Sequence, residues 1–112
     1  MLRVFILSRH PLFGRGVELL VGRESGLSIV GKETDVERGI DCVRSLAPDV
    51  VILDTGDPGF DPSPVIARVL GAGTKARILG INLEENLVCL YHEETRPIRA
   101  VSDLIAAIRG SD

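Results

Sequence analysis

Apolar residues follow two different spacings along this chain. Short, nearly continuous apolar runs cover about 2–8, 27–32, 49–54 and 76–83, and turn-forming or polar residues separate them from the segments between. Such runs are typical of strands that are buried on both faces of a sheet. Between them, apolar residues recur every three or four positions, which predicts amphipathic helices. The chain therefore predicts alternating strands and helices around a mostly parallel sheet.

The first two helices have recognisable boundaries in the sequence. The first covers about 12–23, with Phe13 and Val17 on its apolar face. The second begins at a predicted capping box, in which Thr34 caps the helix and Glu37 reaches back to the cap. Pro48 ends this helix and leads into the third strand.

The last two helices are bounded by similar signals. Asp61 is the predicted cap of the third helix and Pro62 its first residue, while Gly71 and Gly73 are predicted to stop it. The final helix covers about 102–109, and Gly110 ends it.

The segment after the fourth strand breaks the alternation. Only Glu84, Glu85 and Asn86 separate it from another strand-like run that starts at Leu87 and ends at His92. A parallel crossover needs a dozen or more residues, whereas a hairpin needs two to five. We therefore predict an antiparallel fifth strand with no helix before it. In the alternative, 83–92 is a short helix, since its apolar residues also fit helical spacing.

Composition and charge narrow the function classes. The chain has 112 residues and a net charge of −3, with its lysines and arginines scattered, so we expect one domain over 1–112 that does not bind nucleic acid. No stretch is apolar and long enough to span a membrane, and we expect a cytoplasmic protein without a signal peptide. Cys42 and Cys89 lie in apolar segments, which favours buried free thiols over a disulfide or a metal site.

Three motifs point to a family. His10-Pro11-Leu12-Phe13 follows the first strand, Pro48 to Asp54 contains the third strand, and Pro58-Gly59 follows it. Together they resemble the receiver domain of bacterial response regulators, in the branch with His-Pro-Leu-Phe after strand one. The resemblance covers about the first 83 residues well and the last helix loosely. It implies a flavodoxin-like, three-layer α/β fold with sheet order 2-1-3-4-5. In this chain helix four is missing.

The resemblance also assigns positions to the phosphorylation chemistry. The phospho-acceptor falls on Asp54, at the end of strand three. The acidic pair that holds magnesium in the family falls on Ser8 and Arg9, so both acids are replaced. The switch Ser or Thr at the end of strand four falls on Asn82, and the Lys that precedes a Pro falls on Arg96.

These replacements change what the site can do. Phosphoryl transfer to a carboxylate needs a cation that neutralises the transferred group, and Asp54 alone is a poor magnesium site. We expect Arg9 to form an ion pair with Asp54 that occupies the acceptor oxygens. In the alternative, Arg9 is solvated and Asp54 caps a loop. No bound metal, no cofactor and no enzymatic activity are expected.

The missing helix predicts an interaction surface. Without it, one face of the predicted hairpin loses its cover, and an uncovered apolar patch usually marks an interface. We assign the interface to Val88, Leu90 and Tyr91 and expect a protein partner, most simply a second copy in a homodimer. The predicted function is that of a stand-alone pseudo-receiver, which signals by protein contact without magnesium-dependent phosphorylation. Two alternatives stay open: a receiver that phosphorylates Asp54 by altered chemistry, and a module that binds a small ligand.

Overall fold

A computed structural model describes residues 1–71, 74–91 and 95–110 of the chain. Strands and helices alternate as the apolar spacing predicts, up to the fourth strand. The elements are β1 (Leu2–Leu7), α1 (Pro11–Val21), β2 (Leu27–Glu33), α2 (Val36–Leu46), β3 (Val50–Asp54), α3 (Pro62–Gly71), β4 (Arg77–Asn82), β5 (Leu87–Leu90), β6 (Thr95–Pro97) and α4 (Val101–Arg109).

The strands form one sheet in the order β2-β1-β3-β4-β5-β6. The first four strands pair in parallel, while β5 pairs antiparallel with β4 and β6 pairs antiparallel with β5. The predicted flavodoxin-like order 2-1-3-4-5 and the antiparallel fifth strand are therefore confirmed. The short strand β6 extends the sheet by one position, where the sequence indicated only an extended segment.

The connection between β4 and β5 is a tight turn, so no helix lies between them and the helical alternative for 83–92 is wrong. Asn86 takes a positive φ of 54°, which asparagine tolerates better than most residues. The side-chain oxygen of Asn82 accepts hydrogen bonds from the amides of Glu84 and Glu85, both at 3.0 Å. These bonds close the turn at the end of β4. The predicted strand end at His92 lies outside the described residues.

Helices cover the sheet on both faces. On one face α1 and α4 pack on a cluster that includes Val4, Ile52 and Ile81, and on the other α2 and α3 pack on one that includes Phe5 and Leu53. The strands β1 and β3 are central and almost wholly buried from Val4 and Val50 onward, as continuous apolar runs predict.

The helix ends correct one sequence prediction and confirm others. Asp35, not Thr34, is the N-cap of α2, and its carboxylate accepts the amide hydrogen of Arg38 at 2.9 Å. Glu37 does not reach back to the cap, because its carboxylate pairs with Arg68 of α3. The predicted cap of α3 is confirmed, since the Asp61 carboxylate accepts the amide hydrogen of Ser63, in the first turn of the helix, at 3.0 Å.

The C-terminal helix begins one residue earlier than predicted and ends where predicted. Gly110 follows it with a φ of 76°, a left-handed conformation that favours glycine. The second predicted stop of α3, Gly73, lies outside the described residues. In the described part of the chain no helix is long and apolar enough to cross a membrane.

Both cysteines are free, as predicted, but neither is fully buried. Cys42 lies on α2 and Cys89 on β5, and each is half-exposed. Among the described residues no helix covers that face of the hairpin, and Cys89 is therefore only half-buried.

Candidate functional site

The candidate site lies where β1 and β3 end side by side. The two strands are parallel neighbours, and Leu7 pairs with Leu53 one residue before each tip. Ser8 and Asp54 therefore meet at the carboxyl edge of the sheet, where ligand sites of open α/β sheets form. Both side chains are buried, with 6% and 8% of their residue surfaces exposed.

Asp54 is held by neutral hydrogen-bond donors. The Ser8 hydroxyl donates to its Oδ2 at 3.2 Å, and the Gly56 amide donates to its Oδ1 at 3.0 Å. The Ser8 oxygen in turn accepts the amide hydrogen of His10 at 3.1 Å. Ser8, to which the resemblance assigns the first acid of the family, thus acts as a hydrogen-bond donor to the Asp54 carboxylate.

The predicted ion pair between Arg9 and Asp54 is wrong. The guanidinium of Arg9 instead donates through Nε and Nη2 to the two carboxylate oxygens of Asp57, each at 2.8 Å. Arg9 lies beyond the end of β1, in the bend before α1, and from there its guanidinium reaches Asp57 in the turn after β3. The two oxygens of the Asp57 carboxylate match the two parallel N–H groups of the planar guanidinium.

Asp57 is a site residue that the sequence reasoning missed. It lies in the turn between β3 and α3, only 3% of its side chain is exposed, and its Oδ2 is 3.3 Å from His10 Nε2. The hydrogen bonds from Arg9, helped by the Gly59 amide, outweigh the effect of burial and lower the pKa of Asp57 to about 2. The same contact raises the pKa of Arg9. The only signal in the sequence was an acid shortly after Asp54, without any indication of its partner.

The two predicted switch positions lie at different distances from this centre. Asn82 ends β4 beside the loop after Asp54, where a Cβ on Gly56 would meet its Oδ1 at 3.0 Å. Its oxygen is used in the turn between β4 and β5. Arg96 lies on the outermost strand β6, paired with Val88, so β4 and β5 separate its backbone from β3.

The predicted interface needs a correction. Val88 and Leu90 are 1% and 4% exposed and belong to the core cluster under α4, so they are not available to a partner. The opposite face of β5 carries Leu87 and Cys89, which are half-buried, and Tyr91 just beyond the strand is half-buried as well and packs against the cluster under α2 and α3. Only Tyr91 of the predicted set lies on the open face. The sequence did not indicate which face of β5 is covered, because that depends on where α4 packs against the sheet.

An open crevice of about 450 Å³ lies over the strand ends. Its polar lining includes Asp54, Asp57 and His10, and its apolar rim includes Leu12 and Leu83. Within the described ranges, no group of three or more His, Cys, Asp and Glu side chains is arranged to hold a metal ion. The lining also includes the exposed residue Glu84, so the acidic neighbours of Asp54 in the crevice are Glu84 and Asp57, the latter paired with Arg9.

Comparisons with known proteins agree with this fold. The chain is 33% identical over 76 residues to the Fimbriae Z protein of Salmonella typhimurium, a match that covers 68% of this chain and 36% of that protein. It is 26% identical over 110 residues to the nitrate/nitrite response regulator protein NarL of Escherichia coli, which covers 97% of this chain and 44% of the relative.

A solved structure is also similar. The receiver domain of NarL from Mycobacterium tuberculosis superposes with a TM-score of 0.63 and 31% identity, over 72% of this chain and 65% of that one. The chain spans less than half the length of the two curated relatives, the Fimbriae Z protein and NarL of Escherichia coli. No family model matches it.

Proposed function

Since the chain belongs to the receiver-domain family of response regulators in two-component signalling, we propose that it is a pseudo-receiver. It keeps the receiver fold and signals through protein contact, without magnesium-dependent phosphorylation of Asp54. One observation carries this proposal: Arg9 stands at an acidic position of the family, and its guanidinium is bonded to Asp57.

Electrostatics support the proposal. Magnesium in phosphoryl-transfer sites is held by one or two carboxylates together with the phosphate and water. Here a hydroxyl, Ser8, takes one acidic position, and a fixed positive charge, Arg9, takes the other. Of the two other carboxylates that line the crevice, Asp57 is already neutralised by Arg9, and Glu84 lies on the exposed turn after β4. A divalent cation at Asp54 would therefore lack the adjacent pair of acids and would be repelled by the guanidinium.

A second candidate function follows because Arg9 makes no hydrogen bond to Asp54. Both its oxygens accept hydrogen bonds from neutral donors, and Arg9 does not occupy them. The acceptor carboxylate therefore remains next to an open crevice and within the field of a guanidinium. In this alternative an Asp54 oxygen attacks the phosphorus of a phosphoryl donor such as acetyl phosphate, acetate leaves, and Arg9 supplies the neutralising charge in place of magnesium.

The protein contact is assigned to the open face of the hairpin. Leu87, Cys89 and Tyr91 are half-exposed there, and apolar surface of this kind is typical of interaction sites. The proposed partner is a second copy of the chain, because two-fold dimers are the commonest assemblies. We place this contact in the cytoplasm, since the two cysteines are free thiols.

Intact-protein mass measurement tests the chemistry. The chain is incubated with acetyl phosphate and Mg²⁺, beside a receiver that is labelled under the same conditions. We expect no mass gain in this chain. Asp54→Asn is the matched control, and a stoichiometric phosphoryl gain that this variant abolishes would contradict the pseudo-receiver function. A gain that persists after Mg²⁺ is chelated would support the second candidate instead.

A further inference from the structure

One ion pair joins two turns at the carboxyl edge of the sheet. Arg9 lies between β1 and α1, and Asp57 lies between β3 and α3, 48 positions apart in the chain. Two parallel hydrogen bonds of 2.8 Å connect them. We call this contact the Arg9–Asp57 clamp.

The clamp differs from the exposed ion pairs of the molecule because its acid is buried. The Asp57 side chain is 3% exposed, whereas the carboxylate partner of Arg68, Glu37, is 71% exposed. An exposed pair contributes little because water solvates both charges. A buried carboxylate that loses its cation is left with an uncompensated charge, which favours opening of the surrounding turn so that water can hydrate it.

Asp57 also organises the turn in which it lies. Its Oδ1 accepts the Gly59 amide hydrogen at 3.1 Å, and its carbonyl oxygen accepts the Phe60 amide hydrogen at 3.1 Å. The guanidinium packs so closely that a Cβ on Gly59 would meet Arg9 Nη2 at 2.6 Å. Phe60 then packs against the core cluster shared by α2 and α3. The clamp is therefore connected through this turn to the start of α3.

Asp54 lies within electrostatic range of Arg9 but makes none of the clamp hydrogen bonds. Its own hydrogen-bond partners are Ser8 and Gly56. We infer that the Arg9–Asp57 clamp is a conformational device that replaces a bound cation and holds the turn 57–60 in one conformation, whatever the state of Asp54. This inference rests on the proposed function, because it explains how the domain keeps one state without phosphorylation.

Amide hydrogen exchange on the whole chain tests the clamp. Arg9→Gln removes the cation, and we expect the amides of Gly59 and Phe60 to exchange at least about tenfold faster than in the wild type. Arg68→Gln is the matched control, because it breaks another two-pronged arginine pair away from this turn. It should leave both amides within about twofold of wild type. Unchanged exchange in Arg9→Gln would overturn the inference.

Two further variants keep the test decisive. Asp57→Asn preserves the shape of the side chain and leaves no buried charge, so it can be measured even if Arg9→Gln fails to fold. It should also accelerate hydrogen exchange at the amides of Gly59 and Phe60. Asp54→Asn should leave them within about twofold of wild type. If Asp54→Asn accelerates them as much as loss of the clamp does, the turn depends on Asp54 and the inference is wrong. Phosphoryl labelling is measured separately by mass, so failure of the proposed function is distinguishable from failure of the clamp.

Discussion

Ser8 and Arg9 are adjacent in the sequence, yet they serve different carboxylates. Ser8 donates to Asp54, and Arg9 donates to Asp57. In the proposed pseudo-receiver these two positions no longer provide metal ligands, and Arg9 provides an internal cation instead. That cation neutralises Asp57 in the neighbouring turn, so Asp54 accepts hydrogen bonds only from neutral donors.

The clamp predicts a specific pH dependence of stability. The folded-state pKa of Asp57 is about 2, below its ordinary value of 3.8. Because the pKa of Asp57 is lower in the folded state, its charge stabilises the fold fully above the ordinary pKa. This stabilisation is lost as the pH falls toward the folded-state pKa. Denaturation curves of wild type and Asp57→Asn should therefore differ most above pH 3.8 and converge as pH approaches about 2. A constant difference across this range would mean that the charge of Asp57 is not responsible.

Gly80 predicts a steric effect in the middle of β4. A Cβ there would meet Thr55 Cγ2 at 2.5 Å and the Tyr91 hydroxyl at 3.1 Å. Gly80→Ala should therefore lower the free energy of unfolding by about 1–3 kcal/mol, through overpacking. Gly16→Ala is the control, since nothing lies within 4 Å of a Cβ in that position of α1. It should raise stability by about 0.5–1 kcal/mol, because alanine favours helix. Urea denaturation of both variants measures these changes.

At the scale of elements, two strands supply the caps of two helices. Arg3 of β1 donates to the carbonyls of Leu46 and Ala47 at the end of α2. Arg77 of β4 donates to carbonyls in the last turn of α4. The final carbonyls of a helix have no partner within it, so these guanidinium groups satisfy them and match the negative end of the helix dipole. The caps tie each helix to the amino edge of the sheet.

Loss of the Arg77 cap should weaken the attachment of α4. Arg77→Met keeps an apolar stem but removes the hydrogen bonds to the carbonyls of Ala107 and Ile108. We expect the free energy of unfolding to fall by about 1.5–3 kcal/mol, the range for hydrogen bonds to charged groups. Arg44→Met is the control, because that arginine only approaches Asp41 at 4.0 Å on the surface. Equal losses in the two variants would rule out a specific cap.

At the scale of the whole molecule, the sheet is covered unevenly. Helices lie over both faces of β1 and β3, whereas β5 is covered only on the side of α4. The face that carries Leu87 and Cys89 has no helix over it among the described residues. A cavity of about 170 Å³ beside it, lined by Leu70, Ile78 and Tyr91 among others, continues this apolar surface.

Self-association through this face can be measured by sedimentation. Leu87→Glu should weaken association at least about tenfold without unfolding the chain, because a charge would be buried at the contact. Leu19→Glu is the control, since Leu19 is 75% exposed on α1. A wild type that stays monomeric at about 1 mM would remove the dimer proposal. An equal effect of Leu19→Glu would assign association to another face. A charge at Leu90 would not test the proposal, because that residue is in the core.

Local patterns determined much of this protein. Continuous apolar runs identified the central strands, and the connection Glu84-Glu85-Asn86 was too short for a parallel crossover, so the hairpin could be predicted from its length. Asp54 could be placed at a strand tip because it closes one of these apolar runs. These inferences depend only on neighbours along the chain. The assignment of Ser8 and Arg9 to the acidic positions came instead from the resemblance to receiver domains.

Only the tertiary structure decided which groups meet in space. Arg9 had two acids within reach, and the packing of two distant turns made Asp57 its partner. Both faces of β5 are apolar in sequence, and the return of α4 onto Val88 and Leu90 left the other face open. Periodicity is a local property that the sequence records directly. The choice between partners depends on distances between segments far apart in the chain, which form only when the sheet and its helices assemble.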